Sequence, residues 1–203
     1  GYYRRILHLH RAAQMVCDNG GVIPDHAEAL RALPGVGEYT AAAIASIAFD
    51  RPEAAVDGNV ARVLSRLFGV TQDVRSPVGK SRIRDLARSL LSQQRPGDFN
   101  QAWMDLGSLV CTPKAPRCDA CPVRAHCLAA ENGDPEFYPV REAARNRIPK
   151  TVSLVVAIFV REGKMLVRRR ARGGLWSGLW EFPTIELQVG AQPVRHVRRL
   201  AHE

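Results

Sequence analysis

The stretch LRALPGVGEYTAAAIASIAF, residues 30–49, places the tight turn Pro-Gly-Val-Gly between two helical patterns. Gly35 and Gly37 permit a backbone that exposes consecutive N–H groups around Val36, and a helix of small residues follows at once. The positive end of that helix dipole lies at the turn. The turn is therefore a candidate phosphate-binding site that would not read bases, although an ordinary connection between helices would share the same glycines.

The remainder of residues 1–130 also carries helical patterns. Apolar residues recur at i, i+3 and i+4, and Gly, Pro and Asp separate the periodic segments. The predicted helices cover residues 4–17, 25–33, 38–49, 59–68, 80–94 and 98–110. Together with the turn, they predict a mainly α domain built around a helix-hairpin-helix motif.

The charge balance indicates a polyanionic partner. Lys and Arg number 29 against 20 Asp and Glu, which gives a formal net charge of +9. The sequence contains no apolar run of the roughly 18 residues that a membrane span needs, and its first residues lack a signal-peptide pattern. We therefore expect a cytoplasmic protein with no membrane association, nucleoid-associated when it acts in a bacterium.

The periodicity changes after a charged, proline-containing stretch at 131–150, which is interpreted as a linker. The run TVSLVVAIFV, 151–160, predicts a strand, REGK predicts a turn, and MLVRRR, 165–170, predicts the return strand of a hairpin. A hairpin alone is marginal in water, so residues 151–203 are expected to be part of a second domain. Because the chain also starts on Gly1 within a helical pattern, we expect truncation at both ends.

Four of the five cysteines are crowded into the segment VCTPKAPRCDACPVRAHCLA, 110–129, at Cys111, Cys118, Cys121 and Cys127. In a reducing cytosol such a group more often binds metal than forms disulfides. Four thiolates can hold zinc or an iron–sulfur cluster, and the spacing alone leaves both alternatives open.

Asp57 precedes an amphipathic helical pattern in AAVDGNVARVLSRLF, residues 54–68. Asp57 or Asn59 can cap that helix by accepting hydrogen bonds from its free N–H groups. The same donors would hold Asp57 ionised, and a fixed carboxylate could stabilise the positive charge that grows on a sugar as a glycosidic bond breaks. The motif alone favours neither interpretation.

The motifs LPGVGEYTA, VDGNVARV and C-x6-C-x2-C-x5-C, in this order, resemble the endonuclease III superfamily of DNA base-excision glycosylases. Within it the chain is most similar to the adenine-specific branch. The resemblance implies a monomeric hydrolase that acts on double-stranded DNA. It would remove adenine paired with 8-oxoguanine or guanine and leave an abasic site.

The resemblance also implies a cofactor and DNA contacts. The four cysteines would bind a four-iron four-sulfur ([4Fe-4S]) cluster with a structural role, which folds the loop 111–127. Lys114 and Arg117 in that loop would face phosphate. Tyr2 takes the place of an aromatic wedge that enters the duplex beside the oxidised guanine.

Tyr39 stands where superfamily members that also cut the backbone carry a lysine, whose amine forms a Schiff base. A phenol cannot form that imine, so the resemblance implies a monofunctional glycosylase. It also places Tyr39 close to the sugar and gives Asn59 the role of supporting Asp57.

The segment WEFP, 180–183, resembles the opening of a Nudix-type α+β domain, here without the metal-binding helix. The resemblance implies a partial domain that senses 8-oxoguanine. The family's general-acid glutamate would lie before Gly1, so we expect the chain as given to be inactive or nearly so. Two alternatives are an endonuclease III-like pyrimidine glycosylase and a non-catalytic iron–sulfur DNA-binding protein.

Overall fold

The computed structural model describes residues 3–141, 151–171, 173 and 176–187. The chain divides into two compact units, residues 1–144 and 145–203, each of which is described by itself.

The first unit is helical, as predicted. Six longer helices are followed by short turns of α, π and 3-10 helix. The six are α1 (Tyr3–Asp18), α2 (Ala27–Arg31), α3 (Glu38–Phe49), α4 (Gly58–Leu67), α5 (Pro77–Leu90) and α6 (Pro96–Asp105). A π-helical turn follows at Leu106–Val110, then 3-10 turns at Cys118–Ala120 and Arg124–His126, the short α7 (Leu128–Glu131) and a 3-10 turn at Pro135–Phe137.

Several helix boundaries differ from the prediction by two or more residues, and two of these differences have a clear local form. Helix α5 begins at Pro77 rather than residue 80, because the Ser76 hydroxyl accepts a hydrogen bond from the Gly79 N–H at 3.0 Å and proline suits the first turn. The predicted helix 98–110 changes at Leu106 from an α-helix into the π-helical turn.

Two apolar clusters hold the helices together. One lies mainly between α4 and α5 and is centred on Val60, Leu64 and Ile83, each nearly inaccessible to solvent. The other joins α2 to α3 through Leu30, Ala41 and Ala45. The small alanine side chains let these two helices approach closely, so the connection between them is held as a fixed hairpin.

The predicted linker 131–150 begins inside the first unit. Tyr138 is buried, and its carbonyl accepts a hydrogen bond from the Arg66 guanidinium of α4. The Val74 N–H donates to the carbonyl of Val140. Residues 131–141 are therefore packed on the helices that carry the candidate site.

The described residues of the second unit form three antiparallel pairs of short strands. The pairs are β1 (Ser153–Val156) with β6 (Thr184–Leu187), β2 (Val160–Arg161) with β3 (Lys164–Met165), and β4 (Arg168–Arg169) with β5 (Trp180–Glu181). The predicted turn is confirmed: Glu162 and Gly163 both have positive φ, 52° and 73°, as a two-residue hairpin turn requires.

The predicted hairpin forms around its turn, but the prediction of one continuous strand over 151–160 and one return strand over 165–170 is wrong in extent. The first run breaks after Val156: the Ala157 N–H still donates to the carbonyl of Pro183, the next residue in register, but proline has no N–H to return the bond and the ladder ends there. The return strand is only Lys164–Met165, because Arg168 and Arg169 pair with β5. Across the described residues, no helix is long and apolar enough to cross a membrane.

Candidate active site

A cleft of about 340 Å³ lies where the start of α3, the segment before α4 and the start of α5 meet. It brings together Tyr39 and Asp57, two of the residues that the sequence singles out. The full lining consists of Glu38, Tyr39, Ala54, Val56, Asp57, Ala61, Val74, Lys80, Ile83 and Arg84. The cleft thus has apolar walls and two carboxylates. Glu38 is paired with Arg84, whereas Asp57 accepts hydrogen bonds from N–H groups and interacts at longer range with the charge of Arg62.

Asp57 caps α4 and is held by three N–H groups. Its Oδ1 accepts hydrogen bonds from the backbone N–H groups of Asn59 at 2.8 Å and Val60 at 2.7 Å. Its Oδ2 accepts one from the Asn59 side-chain amide at 3.1 Å. The capping interpretation is therefore confirmed, and the same contacts fix the orientation of the carboxylate in the cleft.

The backbone that leads to Asp57 is held by Asn100 of α6, which is only 3% exposed. The Asn100 Oδ1 accepts a hydrogen bond from the Ala55 N–H at 3.1 Å. Its Nδ2 donates to the carbonyl of Glu53 and to the hydroxyl of Ser46, both at 2.8 Å. Asn100 therefore uses all its polar atoms to join α3, α6 and the approach to the site.

Asn59 is linked onward to the cysteine segment by Arg62, a buried residue of α4. The Arg62 Nη2 donates to the Asn59 Oδ1 at 3.0 Å and to the carbonyl of Gly107 at 2.7 Å, and its Nε donates to the carbonyl of Cys111 at 2.9 Å. Burial lowers the pKa of Arg62, and the nearby charge of Arg66 adds to this effect. A continuous path of hydrogen bonds thus runs from Asp57 to the first cysteine of the group.

The π-helical turn packs directly on this path. Gly107 is buried against Asn59, and a β-carbon at position 107 would lie 2.7 Å from the Asn59 Cβ. Only glycine fits there without displacing its neighbour, and π-helical turns occur often at functional sites.

The hairpin between α2 and α3 has the geometry that its glycines predict. Gly35 has φ +81°, and a β-carbon there would come within 2.6 Å of the His8 Cβ on α1. The Val36 N–H donates to the carbonyl of Leu33. Helix α3 begins after Gly37 with no side-chain cap, so no side chain occupies the N–H groups of its first turn.

Tyr39 and Glu38 lie in the first turn of α3, at the edge of the cleft. The Tyr39 side chain is half-exposed, and its hydroxyl donates to the Met104 sulfur at 3.5 Å. Glu38 accepts a hydrogen bond from Arg84 of α5 at 2.7 Å, which lowers the pKa of the glutamate. This ion pair joins the two helices beside the cleft.

The four clustered cysteines are free thiols that line one small cavity. Burial raises the pKa of Cys118, and the nearby thiolates of Cys111, Cys127 and Cys121 raise it further. In the part of the chain that the structure describes, no three His, Cys, Asp or Glu side chains converge on a single-ion site. The four cysteines surround one cavity, an arrangement that fits an iron–sulfur cluster in which each of four irons binds one thiolate.

Lys114 and Arg117, the predicted phosphate contacts of the cysteine loop, differ in the hydrogen bonds they make. Lys114 is exposed, and its carbonyl accepts a hydrogen bond from the Thr112 hydroxyl. The Arg117 guanidinium is folded back and donates to the carbonyl of Leu109. The third predicted DNA contact outside the hairpin, Tyr2, lies outside the described residues.

Sequence reasoning missed four residues of the site: Arg62, Arg66, Asn100 and Gly107. A signal was present for two of them, because Arg62 and Arg66 interrupt the buried face of α4 at helical spacing from Asn59. Asn100 and Gly107 become identifiable only when α6 is placed against α3 and α4.

Comparison with known sequences agrees with the motifs. The helix-hairpin-helix motif family matches residues 20–47. The chain is 37% identical to the adenine DNA glycosylase of Rattus norvegicus, over 95% of this chain and 46% of the relative. It is 36% identical to that of Schizosaccharomyces pombe, over 95% of this chain and 50% of the relative. The chain spans about half the length of these curated relatives.

Solved structures give the same result for the fold. A thermostable thymine-DNA glycosylase matches with 33% identity and a TM-score of 0.55, over 62% of this chain and 58% of that chain. An endonuclease III in a non-covalent complex with DNA matches with 27% identity and a TM-score of 0.55, over 66% and 61% of the two chains. The resemblance to adenine DNA glycosylases and to endonuclease III is thereby confirmed.

Proposed function

We propose that the protein is a monofunctional DNA glycosylase of base excision repair that removes adenine paired with 8-oxoguanine or guanine. The observation that carries the proposal is the carboxylate of Asp57, held by three N–H donors in an open cleft beside Tyr39. It is supported by the similarity to adenine DNA glycosylases along about 95% of the chain.

Asp57 would act by stabilising charge. As the bond between base and sugar breaks, positive charge develops on the sugar, and a carboxylate already fixed nearby lowers the energy of that state without reorganising. Asn59 supports this role because its backbone and side chain both donate to Asp57. Arg62 in turn keeps the Asn59 amide oriented.

Tyr39 would position the extruded nucleotide at the mouth of the cleft. Its phenol cannot attack the sugar to form an imine. Water would therefore add to the sugar, and the product would be an abasic site. The hydroxyl is already bonded to Met104, which gives the ring a fixed orientation.

DNA would be held through its phosphates. The N–H groups of Gly35 and Gly37 and the uncapped start of α3 would form a site for one phosphate, and the Val36 N–H, which donates to the Leu33 carbonyl, would hold the turn in shape. Lys114 and Arg117 would contact the backbone from the cysteine loop, and Tyr2 would enter the duplex beside the oxidised base. The endonuclease III relative is itself a complex with DNA.

The four cysteines would hold a four-iron four-sulfur cluster. Cys111, Cys118, Cys121 and Cys127 suit it, because all four are free and surround one cavity. When bound, this group would supply covalent cross-links that fold the loop 111–127. The cluster would take no part in base removal, in which Asp57 stabilises the charge on the sugar and Tyr39 positions the nucleotide.

Residues 151–203 would belong to a Nudix-like domain that recognises 8-oxoguanine. The support is the WEFP motif, whose Trp180 and Glu181 form β5. The preceding glycosylase domain extends beyond residue 130, since residues 131–141 pack on its helices. We infer that the protein acts as a monomer.

The test is single-turnover base release by the protein expressed from its complete reading frame, on duplexes with adenine opposite 8-oxoguanine. Asp57→Asn should abolish release while binding of the duplex is retained, and Asp105→Asn, an exposed aspartate of the same unit, serves as the matched control. Unchanged turnover in Asp57→Asn would contradict the proposal. Release of thymine instead of adenine would assign the protein to the pyrimidine-excising relatives.

A further inference from the structure

Arg66 of α4 is the largest fully buried side chain of the described residues, at 2% exposure, and its guanidinium lies against the cysteines. Its Nη1 donates to the Cys111 sulfur at 3.2 Å and to the carbonyl of Thr112 at 2.7 Å. Its Nη2 donates to the carbonyl of Pro113 at 3.0 Å. Because this buried guanidinium makes several hydrogen bonds, its position beside the cysteines is fixed.

The same side chain also reaches the far end of the cysteine segment. The Arg66 Nε donates to the carbonyls of Pro135 at 2.6 Å and Tyr138 at 3.3 Å. The Cys127 thiol contacts the Arg66 carbonyl at 3.6 Å. Arg66 therefore joins the residues just after the first cysteine to those beyond the last cysteine.

None of the ion pairs within the described ranges includes Arg66, whose partners are carbonyl groups and one sulfur. A buried cation without a carboxylate is costly unless another anion lies nearby. The anion that would lie here is the set of four cysteine thiolates of the bound iron–sulfur group, since the four cysteines line the same cavity as Arg66.

We propose that Arg66 is the buried counter-charge and positioning residue of the cysteine site. Its charge and its hydrogen bond to the Cys111 sulfur raise the reduction potential of the bound iron–sulfur group, and its bonds to both ends of the loop slow the loss of iron. The inference rests on the proposed cluster. Hydrogen bonds to the sulfurs and nearby charge are among the properties that set such potentials.

Electrostatics gives the direction in which the reduction potential should change when Arg66 is replaced. A fixed positive charge favours the more negative, reduced state, so its removal lowers the potential and makes oxidation easier. Arg66→Gln should therefore shift the equilibrium toward the oxidised form by at least about tenfold, which is 59 mV for a one-electron couple. Iron should also leave to a chelator at least about tenfold faster.

The matched control is Arg124→Gln. Arg124 lines the same cavity, but its side chain is 57% exposed and pairs with Asp119 at 2.8 Å. Removal of this screened charge should change the equilibrium between the oxidised and reduced forms, and the rate of iron loss, each by less than about twofold. Arg66→Lys keeps the charge but offers fewer donors, so its potential should stay near that of the wild type while its iron is lost faster.

The experiment uses protein expressed from its complete reading frame, with iron and sulfide analysis, voltammetry and the rate of iron release. Wild-type protein without iron would reject the proposed cluster itself. Wild-type protein that contains iron, with an Arg66→Gln variant of unchanged potential and unchanged iron release, would overturn the role of Arg66. If Arg66→Gln yields no folded protein, the rate of iron release from Arg66→Lys decides. Release faster than from Arg124→Gln would support the proposal, and release at the wild-type rate would overturn it.

Discussion

Gly107 lies so close to Asn59 that a β-carbon on the glycine would be 2.7 Å from the Asn59 Cβ. The π-helical turn therefore packs directly against Asn59, the residue that supports Asp57. Since the Gly107 carbonyl also accepts a hydrogen bond from Arg62, one small residue connects the turn, the supporting amide and the cysteine segment.

Gly107→Ala should slow base release, because the added methyl group must displace Asn59 and with it a donor to Asp57. We expect a fall in single-turnover rate of about tenfold or more, since displacements of this size in a catalytic group are costly. Ser108→Ala, an exposed neighbour in the same turn, is the control and should keep the wild-type rate. Equal rates in all three proteins would show that Asn59 is not needed for catalysis.

Asn100→Ala should destabilise the first unit. The substitution leaves the Ala55 N–H and the Glu53 carbonyl without their buried partner, at a cost of about 1–3 kcal/mol in the free energy of unfolding. Chemical denaturation measures the loss. Gln101→Ala, an exposed position beside it, should change the stability by less than about 0.5 kcal/mol. A similar loss in both variants would argue against the role assigned to Asn100.

The Glu38–Arg84 pair predicts a small dependence of stability on pH. Arg84 lowers the pKa of Glu38 below its ordinary value of 4.5, so the pair stabilises the fold above that pH and loses its effect as pH falls through the lowered value. Arg84→Gln should raise the pKa of Glu38, as carboxyl chemical shifts in an NMR titration would report. The Glu38 side chain is 61% exposed, so the loss of stability at neutral pH should be at most about 0.5 kcal/mol.

Tyr39→Lys should add covalent chemistry to the cleft. A lysine at the start of α3 would bring an amine to the place where the related bifunctional enzymes carry theirs, and borohydride should then trap a complex with abasic DNA. Tyr39→Phe, which loses only the bond to Met104, should give no more trapped complex than the wild type. A lysine variant that traps nothing would mean that Tyr39 lies away from the sugar.

The predicted helices and the hairpin turn follow from local signals. The glycines of the hairpin turn predicted its tight backbone, and Gly35 has a positive φ. Ser76 and Pro77 carry an equally local start signal for α5, which the prediction of a helix from residue 80 overlooked. The capping position of Asp57 is equally local, since its donors are two and three residues away. These features depend on neighbours in sequence, which is why they could be predicted.

The supporting contacts of the site are not local. Arg62 meets Cys111 across 49 positions, and Asn100 meets Ala55 across 45. No periodicity encodes such pairings. In the second unit the local hairpin pair β2–β3 was predicted, but the pairing of Ser153–Val156 with Thr184–Leu187 was missed because its partners lie far apart in sequence.

The most direct test of the central claim measures how Asp57 responds to positive charge on the sugar. Two duplexes would be compared, one with a cationic pyrrolidine analogue of the abasic sugar and one with neutral tetrahydrofuran, each opposite 8-oxoguanine. Wild-type protein should bind the cationic duplex at least about tenfold more tightly, and Asp57→Asn should bind the two alike. Equal preference in wild type and Asp57→Asn would contradict the role of Asp57, whichever base the protein removes.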